Sequence, residues 1–242
     1  VYLGDPDFVE VPVSLLTSKE YAAIARDDIL LDRARPSSEI NPGELFGISE
    51  GNETTHFSVV DSQGNVVSNT YTLNFSYGNK IVVPGTGILL NNQMDDFSAK
   101  PGVPNAYGLV GNAFNAISPG KRMLSSMTPV IVFKDNVPFL VTGSPGGSRI
   151  ITTVLQLLIN VIDFKLNIAQ ATHLPRFHHQ WLPDYIQVEE GFSPDTISIL
   201  TSKGHQIKPS FAMGSTQSIM IENGLLKGAS DPRKPGAKTI GY

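Results

Sequence analysis

The 242-residue sequence has no cysteine, and this absence excludes a disulfide framework, a thiolate metal site and a cysteine nucleophile. Charge is sparse as well: 18 basic and 22 acidic residues leave a net charge of -4. No basic stripe is available to neutralise a phosphate backbone, so we expect no nucleic-acid partner. The longest apolar run, residues 150–164, contains polar residues and is too short for a bilayer, so we predict no membrane span in this chain.

The sequence opens at Val1 without an initiator methionine, a basic leader or an apolar leader. Such an opening is typical of a mature or excised piece, and we expect further sequence upstream.

The hydrophobic pattern predicts an α+β layered domain. A possible capping box at residues 17–20 precedes a short helix at 21–26. Two β-rich runs, 54–61 and 66–73, flank a Gly-Asn turn and predict a hairpin, and 127–133 with 137–142 predicts a second strand pair. We expect a helix at 150–162 to be buried because it is apolar on nearly every face, and we expect two more helices at 168–171 and 196–203.

A change of composition precedes the first predicted hairpin. Residues 36–53 contain four glutamates and no basic residue, and we interpret them as an exposed linker. Thr54 therefore stands where a linker meets a buried strand. A cut there would create an α-amino group with an unperturbed pKa of about 7.7 to 8.0, able to activate the threonine hydroxyl as a nucleophile. The alternative is that Thr54 is an ordinary strand residue.

A glycine-rich turn at residues 143–149 lies between a predicted strand and a predicted helix. Backbone N–H groups at such a helix start favour developing negative charge, as an oxyanion hole requires. The turn lacks the Gly-Lys-Ser/Thr end of a phosphate-binding loop. The alternative is a tight turn that needs glycine for its conformation.

Two further polar clusters could hold a substrate. The amides and carboxylates at residues 91–96 suit an ammonium group, although a metal site or a solvated turn fits the same composition. Ser125 and Ser126 could donate to a carboxylate or could form a plain turn.

The histidines at positions 173, 178 and 179 match no common zinc spacing, and adjacent histidines on an extended segment point in opposite directions. We expect structural hydrogen bonding from them and no metal site.

Together these motifs resemble the γ-glutamyl transpeptidase family of N-terminal nucleophile hydrolases. They occur in that family's order, and the likeness extends over residues 54–242. The matching stretches are residues 54–56, 71–74, 87–97, 121–127, 143–149, 175–178 and 214–217.

The resemblance implies a four-layer αββα sandwich and a precursor that cuts itself between Glu53 and Thr54. Residues 1–53 are then the carboxyl-terminal end of a large subunit whose remainder lies upstream, and residues 54–242 are the small catalytic subunit. In the family pattern Thr72 orients Thr54. The other implied roles are an oxyanion hole at Gly146 and Gly147, ammonium binding by Asn74, Gln93 and Asp96, carboxylate binding by Ser125 and Ser126, and a lid at residues 100–112 with Tyr107 near its middle.

The implied reaction transfers a γ-glutamyl group from glutathione or a related amide to water, an amino acid or a dipeptide, without a cofactor or metal. The family's carboxylate-binding arginine belongs to the upstream part, so we expect poor turnover from this piece alone. The resemblance also implies a periplasmic or extracellular location. Two alternatives are an acylase of the same family that accepts other acyl groups and a non-catalytic binding relative.

Overall fold

The structure, a computed structural model, describes residues 3–40, 54–106 and 108–242. Five helices and nine strands make up its regular elements. The helices are α1 (Val13–Leu16), α2 (Lys19–Asp27), α3 (Arg149–Ile162), α4 (Ile168–His173) and α5 (Pro194–Ser202). The strands are β1 (Thr54–Val60), β2 (Val66–Thr72), β3 (Val130–Lys134), β4 (Val137–Thr142), β5 (Phe177–His178), β6 (Ile186–Val188), β7 (Ile207–Pro209), β8 (Gln217–Glu222) and β9 (Leu225–Ser230).

A four-stranded antiparallel sheet in the order β3-β4-β8-β9 forms the centre of the domain. The predicted pairing of residues 127–133 with 137–142 is confirmed, with its first strand beginning at Val130. Leu140 on β4 is fully buried and belongs to a core shared with the helices α3 and α4. Apolar side chains of α3 and α4 therefore cover one face of the sheet, and their removal from water stabilises this layer. The core consists of Leu140, Leu157, Val161, Ile168, Ala171, Met220 and Ala229.

The hairpin β1-β2 packs near the other face of this sheet, against β4 and β8. The prediction of a hairpin is confirmed, and its antiparallel register pairs Thr54 with Thr72. Its inward positions are polar: the buried His56 is bonded to Thr70, and Ser58 donates to the carbonyl of Gln217 at 2.8 Å. Its apolar side chains point outward and are 47–63% exposed, namely Phe57, Val59, Val67 and Tyr71.

Helices, sheet and hairpin thus form three successive layers in the described residues, and the outward hairpin face is where a fourth layer of the predicted sandwich would pack. A separate three-stranded sheet, β5-β6-β7, lies beside these layers and contains one parallel pair, β6 with β7. None of the described helices is long and apolar enough to cross a membrane.

Helix α3 corrects one prediction. Only one side of the helix is buried, because the sheet and α4 contact that side. Its buried apolar side chains are Ile150, Val154, Leu157 and Val161. The aliphatic residues on its other side are 36–52% exposed: Ile151, Leu155 and Ile159. The predicted burial on nearly every face is therefore wrong for the described residues.

The predicted helix at residues 21–26 is confirmed as part of α2, but its cap differs. Ser18, one residue later than the predicted capping-box position, accepts a hydrogen bond from the backbone N–H of Tyr21 at 3.0 Å. Thr17 instead donates to the carbonyl of Val13. A full capping box occurs at α4, where Asn167 and Gln170 bond each other's backbone N–H.

Of the predicted exposed linker at residues 36–53, the structure describes residues 36–40, and four of these five residues are exposed. Ser37 is the exception: it begins a 3-10 turn, Ser37–Glu39, and is only 1% exposed, with hydrogen bonds to Asp184. The remainder of that prediction, with Glu53, lies outside the described residues.

Candidate active site

The hydroxyl of Thr54 is held by the facing strand. Paired residues of an antiparallel ladder share one face, and Thr54 Oγ1 donates to Thr72 Oγ1 at 3.1 Å. Thr72 Oγ1 also accepts from the backbone N–H of Asn74 at 2.9 Å. The predicted hydrogen bond between Thr72 and Thr54 is present, and the role of Thr72 in orienting a nucleophile stays a prediction.

Asn74 follows β2 in a left-handed conformation, with φ of 75°, and is buried. Asparagine tolerates this conformation better than most residues. Its side-chain Nδ2 donates to the carbonyl of Asn92 at 3.2 Å, while Asn92 Oδ1 accepts from the backbone N–H of Phe75 at 3.0 Å. Asn92 thus joins the two polar segments of the site. Our sequence analysis gave it no individual role, because consecutive asparagines predict only a turn.

The turn Gln93–Asp96 brings the carboxyl group of Asp96 to the same cavity as Thr54. Burial and the neighbouring charge of Asp95 raise the pKa of Asp96 to about 6, against a smaller lowering by a hydrogen bond with Gln93. A desolvated carboxylate next to an amide is suited to an incoming ammonium group, which would restore the ionised form.

The glycine-rich turn connects β4 to α3. Gly146 and Gly147 have φ of 137° and 55°, conformations that favour glycine. Their carbonyls accept from the backbone N–H groups of Arg149 and Ile150, so the turn leads directly into the helix. Since N–H groups at a helix start point away from the helix, this turn can present donors to a developing oxyanion.

A second loop supports this turn from behind. A Cβ on Gly146 would lie 3.3 Å from the Cα of Gly214, and one on Gly214 would lie 2.5 Å from Ser144 Oγ. Ser144 Oγ in turn accepts from the backbone N–H of Ser215 at 2.9 Å. The two loops are therefore packed backbone to backbone.

The two predicted carboxylate donors differ from each other. Ser126 donates to the carbonyl of Gly147 at 3.1 Å, so its hydrogen is used to fix the glycine-rich turn. Ser125 Oγ accepts from the backbone N–H of Met127 at 3.2 Å, which leaves its hydroxyl hydrogen able to donate. Their role in binding a carboxylate stays a prediction.

One cavity of about 380 Å³ collects most of the predicted site. Gly146 is not among the residues that line it, whereas Gly147 is. Tyr107 and Glu53 lie outside the described residues. The predicted residues that line the cavity are Thr54, Thr72, Asn74, Gln93, Asp96, Ser125, Ser126 and Gly147.

The predicted lid, residues 100–112, begins at the rim of this cavity. Asn105 and Leu109 line the cavity, and Asn105 Nδ2 donates to the carbonyl of Asp95 at 3.2 Å. The loop is thus attached to the carboxylate-bearing turn, although its role as a lid stays a prediction.

A chain of side chains that our sequence analysis did not assign runs along the opposite wall. Gln180 Oε1 accepts from Ser148 Oγ at 2.7 Å and lies 3.0 Å from His178 Nε2, while His178 Nδ1 lies 2.7 Å from Thr152 Oγ1. These contacts fit the predicted structural hydrogen bonding of His178. Gln180 is therefore hydrogen-bonded to Ser148, a residue of the glycine-rich turn.

His56 lies two residues after the candidate nucleophile, Thr54, on the same strand. Burial lowers its pKa to about 4, so the ring is neutral at physiological pH. A Cβ on Gly143 would lie 2.3 Å from its Cε1, which explains glycine at that position. A second cavity, of about 350 Å³, lies between β1, β8 and residues 234–240 and also reaches Thr54.

Within the described part of the chain, no three histidine, aspartate or glutamate side chains come together as a group that could hold a metal ion.

The sequence of this chain is similar to sequences of one known family. A sequence model of the γ-glutamyltranspeptidase family matches residues 1–241. The glutathione hydrolase proenzyme of Escherichia coli K12 is 62% identical over 242 residues, which are 100% of this chain and 42% of that protein. The chain therefore spans about two fifths of the length of such relatives.

Two solved structures have the same fold. A γ-glutamyltranspeptidase from Pseudomonas nitroreducens is 48% identical with a TM-score of 0.74, and the match covers 78% of this chain and 100% of that chain. A cephalosporin acylase from Bacillus halodurans is 29% identical with a TM-score of 0.81, and the match covers 100% of this chain and 42% of that chain. The α+β fold is thus that of the N-terminal nucleophile hydrolases.

Proposed function

The chain belongs to the γ-glutamyltranspeptidase family, and from this premise we propose that it carries the catalytic part of a γ-glutamyl acyl transferase and glutathione hydrolase. The observation that carries the proposal is the single cavity that joins Thr54, the ammonium-binding candidates and the glycine-rich turn. The E. coli relative's name, glutathione hydrolase proenzyme, supports both the reaction and the need for processing.

The proposed reaction is an acyl transfer in two steps. Thr54 Oγ1 attacks the γ-carbonyl carbon of glutathione or a related amide, the C–N bond breaks, and the leaving amine takes the proton, which yields a γ-glutamyl ester. Water, an amino acid or a dipeptide then attacks the ester and receives the γ-glutamyl group. The bond from Thr54 Oγ1 to Thr72 Oγ1 fixes the orientation of the Thr54 hydroxyl, and both residues line the cavity.

The remaining groups recognise the two ends of the γ-glutamyl unit and its transition state. Backbone N–H groups of Gly146 and Gly147 stabilise the oxyanion, a role in which one donor is typically worth about 2.7 to 4 kcal/mol. Asp96, with Gln93 and Asn74, binds the α-ammonium group. Ser125, whose hydroxyl hydrogen is able to donate, binds the α-carboxylate together with an arginine from the upstream part. Ser126 joins them by exchanging its bond to the Gly147 carbonyl for one to the carboxylate.

The proposed activation is a cut between Glu53 and Thr54, which frees the α-amino group of Thr54 as the base. The extent of the P. nitroreducens match supports this position: that whole chain corresponds to 78% of this one, the share that residues 54–242 also make up. The fragment upstream of the cut would remain as the partner of the catalytic fragment.

The acylase alternative has one observation in its favour, the TM-score of 0.81 with the cephalosporin acylase over the full chain. The carboxylate of Asp96 in the cavity favours a substrate with a free amino group instead. Turnover of a γ-glutamyl anilide compared with its N-acetylated analogue separates the two, because only an acylase without ammonium recognition would accept both equally.

We also propose a periplasmic or extracellular location, which a chain without cysteine tolerates because it cannot form mispaired disulfides. Fractionation of cells that express the full-length protein, followed by immunodetection, tests this location.

The Thr54→Ala substitution tests the central proposal. In the full-length protein it should leave the chain uncut and abolish turnover of a γ-glutamyl anilide, whereas Thr55→Ala should be cut and active because Thr55 points away from Thr72. Intact mass and N-terminal sequencing provide the measurement. A Thr54→Ala chain that is still cut before residue 54 would contradict the mechanism.

A further inference from the structure

The loop at residues 179–184 is hydrogen-bonded to a segment that precedes the proposed cut. Asp184 accepts two hydrogen bonds from one residue: from the backbone N–H of Ser37 at 2.9 Å and from its hydroxyl at 2.9 Å. Trp181 Nε1 donates to the carbonyls of Ser37 and Ile40, at 2.9 and 3.0 Å. The loop thus binds the backbone of residues 37–40 at both ends.

Ser37 is the buried side of this contact. Its exposed fraction is 1%, whereas the side chain of Asp184 is 43% exposed. Bonds to a carboxylate are stronger than bonds between neutral groups. Burial alone raises the pKa of Asp184, but the two bonds from Ser37 and the contact with His179 together outweigh it and lower the pKa, so the carboxylate stays ionised.

A second attachment lies a few residues upstream. The backbone N–H of Ala34 donates to the carbonyl of Lys203 at 2.6 Å, and Lys203 Nζ donates to the carbonyl of Leu31 at 2.6 Å. Residues 31–40 are therefore bound to the proposed catalytic fragment at two places that are far from residue 54 in sequence.

The loop at residues 179–184 also forms part of the wall of the cavity that contains Thr54. His179 and Gln180, the residues directly before Trp181, line the cavity that contains Thr54. His179 Nε2 lies 3.4 Å from Asp184 Oδ1, so the carboxylate that holds Ser37 also contacts the cavity wall.

We propose that residues 179–184 are a docking site that keeps residues 37–40 bound after the chain is cut before Thr54. The contacts that form it, from Asp184 and Trp181, involve no residue at the cut and none between residues 40 and 54, so breaking the peptide bond removes none of them. The docked segment would hold the carboxyl-terminal end of the upstream fragment beside the active site while the residues after it separate from Thr54. This inference rests on the proposed cleavage.

Hydrogen exchange measured by mass spectrometry on the full-length, self-cleaved protein tests the proposal. A peptide that covers residues 34–40 should remain protected after cleavage, because the Ser37 amide hydrogen stays bonded to Asp184. In the cut Asp184→Ala protein, exchange at this amide should be about tenfold faster or more, since a bond to a charged acceptor is lost.

Two further variants separate docking from general damage to the loop. Ser37→Ala removes one bond from the docked side without changing the loop, and Trp181→Phe keeps an aromatic ring but removes the indole N–H. Both should speed exchange in residues 34–40, by smaller factors than Asp184→Ala. Asp163→Asn, an exposed carboxylate after α3, should leave exchange of this peptide unchanged and serves as the control.

An intact mass of the same sample distinguishes the two levels of failure. A cut protein whose residues 34–40 exchange at the rate of an unprotected peptide would overturn the docking site alone. A chain that stays uncut would overturn the proposed cleavage and, with it, this inference.

Discussion

Two buried polar regions flank the loop at residues 213–216. On one side lies a cluster of two arginines and two acidic residues joined by salt bridges, which we call the charged cluster: Arg176, Glu189, Asp231 and Arg233. On the other lies the active-site cavity, whose polar groups are mostly hydroxyls and amides, with Asp96 as its perturbed carboxyl group.

The residues of the charged cluster form short ion pairs with one another. Arg176 Nη2 donates to Asp231 Oδ2 at 2.5 Å, and Arg233 Nη2 donates to Glu189 Oε2 at 2.6 Å. Burial alone raises the pKa of Asp231, but Arg176 and Arg233 outweigh it and lower the pKa. Glu189 also accepts from the backbone N–H of Met213 at 2.5 Å, so the cluster fixes the loop behind the glycine-rich turn.

The active-site cavity shows the opposite arrangement. Its proposed nucleophile, Thr54, is bonded to another neutral hydroxyl. Burial and the neighbouring charge of Asp95 raise the pKa of Asp96, which has no ion pair in the described residues to offset them. The two regions therefore differ in how their charges are balanced: ion pairs within the chain balance the charged cluster, whereas in the proposed function the substrate's ammonium group is the partner of Asp96.

Breaking the charged cluster should have the largest effect. Arg176→Met leaves Asp231 and Glu189 with less compensation in a buried place, and we expect the free energy of unfolding to fall by about 3–5 kcal/mol. Denaturant titration of the full-length protein measures it.

The matched control for Arg176→Met is Arg26→Met on the exposed face of α2, where we expect a change below about 0.5 kcal/mol. The double substitution Arg176→Met with Asp231→Leu should recover part of the loss, because it removes the unpaired charge as well. A double variant less stable than the single one would show that the cluster does more than balance charge.

Gln180 tests the connection between the neutral site and its scaffold. Gln180→Met removes the Gln180 acceptor for the Ser148 hydroxyl, so the glycine-rich turn should be less rigidly positioned. We therefore expect kcat for a γ-glutamyl anilide to fall about tenfold, with KM nearly unchanged. A variant whose KM rises while its kcat stays unchanged would contradict this role.

The control for Gln180→Met is Gln156→Met. Gln156 also bridges α3 to the backbone of Phe177, but it bonds neither Ser148 nor His178 through its amide. If both variants lose the same kcat, the effect belongs to the packing of α3 on β5 and not to the glycine-rich turn.

The pH dependence of the cavity gives the smallest expected effect. The carboxylate of Asp96 must be ionised to bind ammonium, and its pKa is raised to about 6, so kcat/KM should fall as pH falls and reach about half its limiting value near pH 6. The pH profile of the free enzyme measures this limb.

Asp95→Asn sharpens that measurement. Removing the neighbouring negative charge should move the acid limb to lower pH, because Asp95 is one cause of the raised pKa. His56 contributes no competing limb near pH 6, since burial lowers its pKa to about 4. An acid limb that stays near pH 6 in Asp95→Asn would assign it to another group.

Much of the local structure could be predicted from the sequence. The hairpin, the strand pair at β3 and β4, and the helices α2 to α5 follow from alternation, periodicity and turn residues, which act over a few positions. The burial of α3 was predicted wrongly for the described residues because a periodic pattern indicates an apolar face without stating what covers it.

Several site residues could be predicted only as members of turns. The compositions of the Gly146-Gly147 turn and of residues 91–96 suit the proposed chemistry but also suit plain turns, and the family resemblance supplied the proposed roles. Gln180 and Asn92 were missed because a single amide has no recognisable spacing, and its function depends on which distant backbone or side chain it meets.

The sequence by itself determined that this chain contains a β-hairpin beginning at Thr54, a glycine-rich strand-to-helix turn and an amide-carboxylate turn, because each depends on neighbouring residues. Only the tertiary structure decided that Thr54, Thr72 and Asp96 share one cavity, that Asp96 has a raised pKa and that Ser37 is held by Asp184. Those outcomes depend on burial and on contacts between residues far apart in the chain, and both are set by packing.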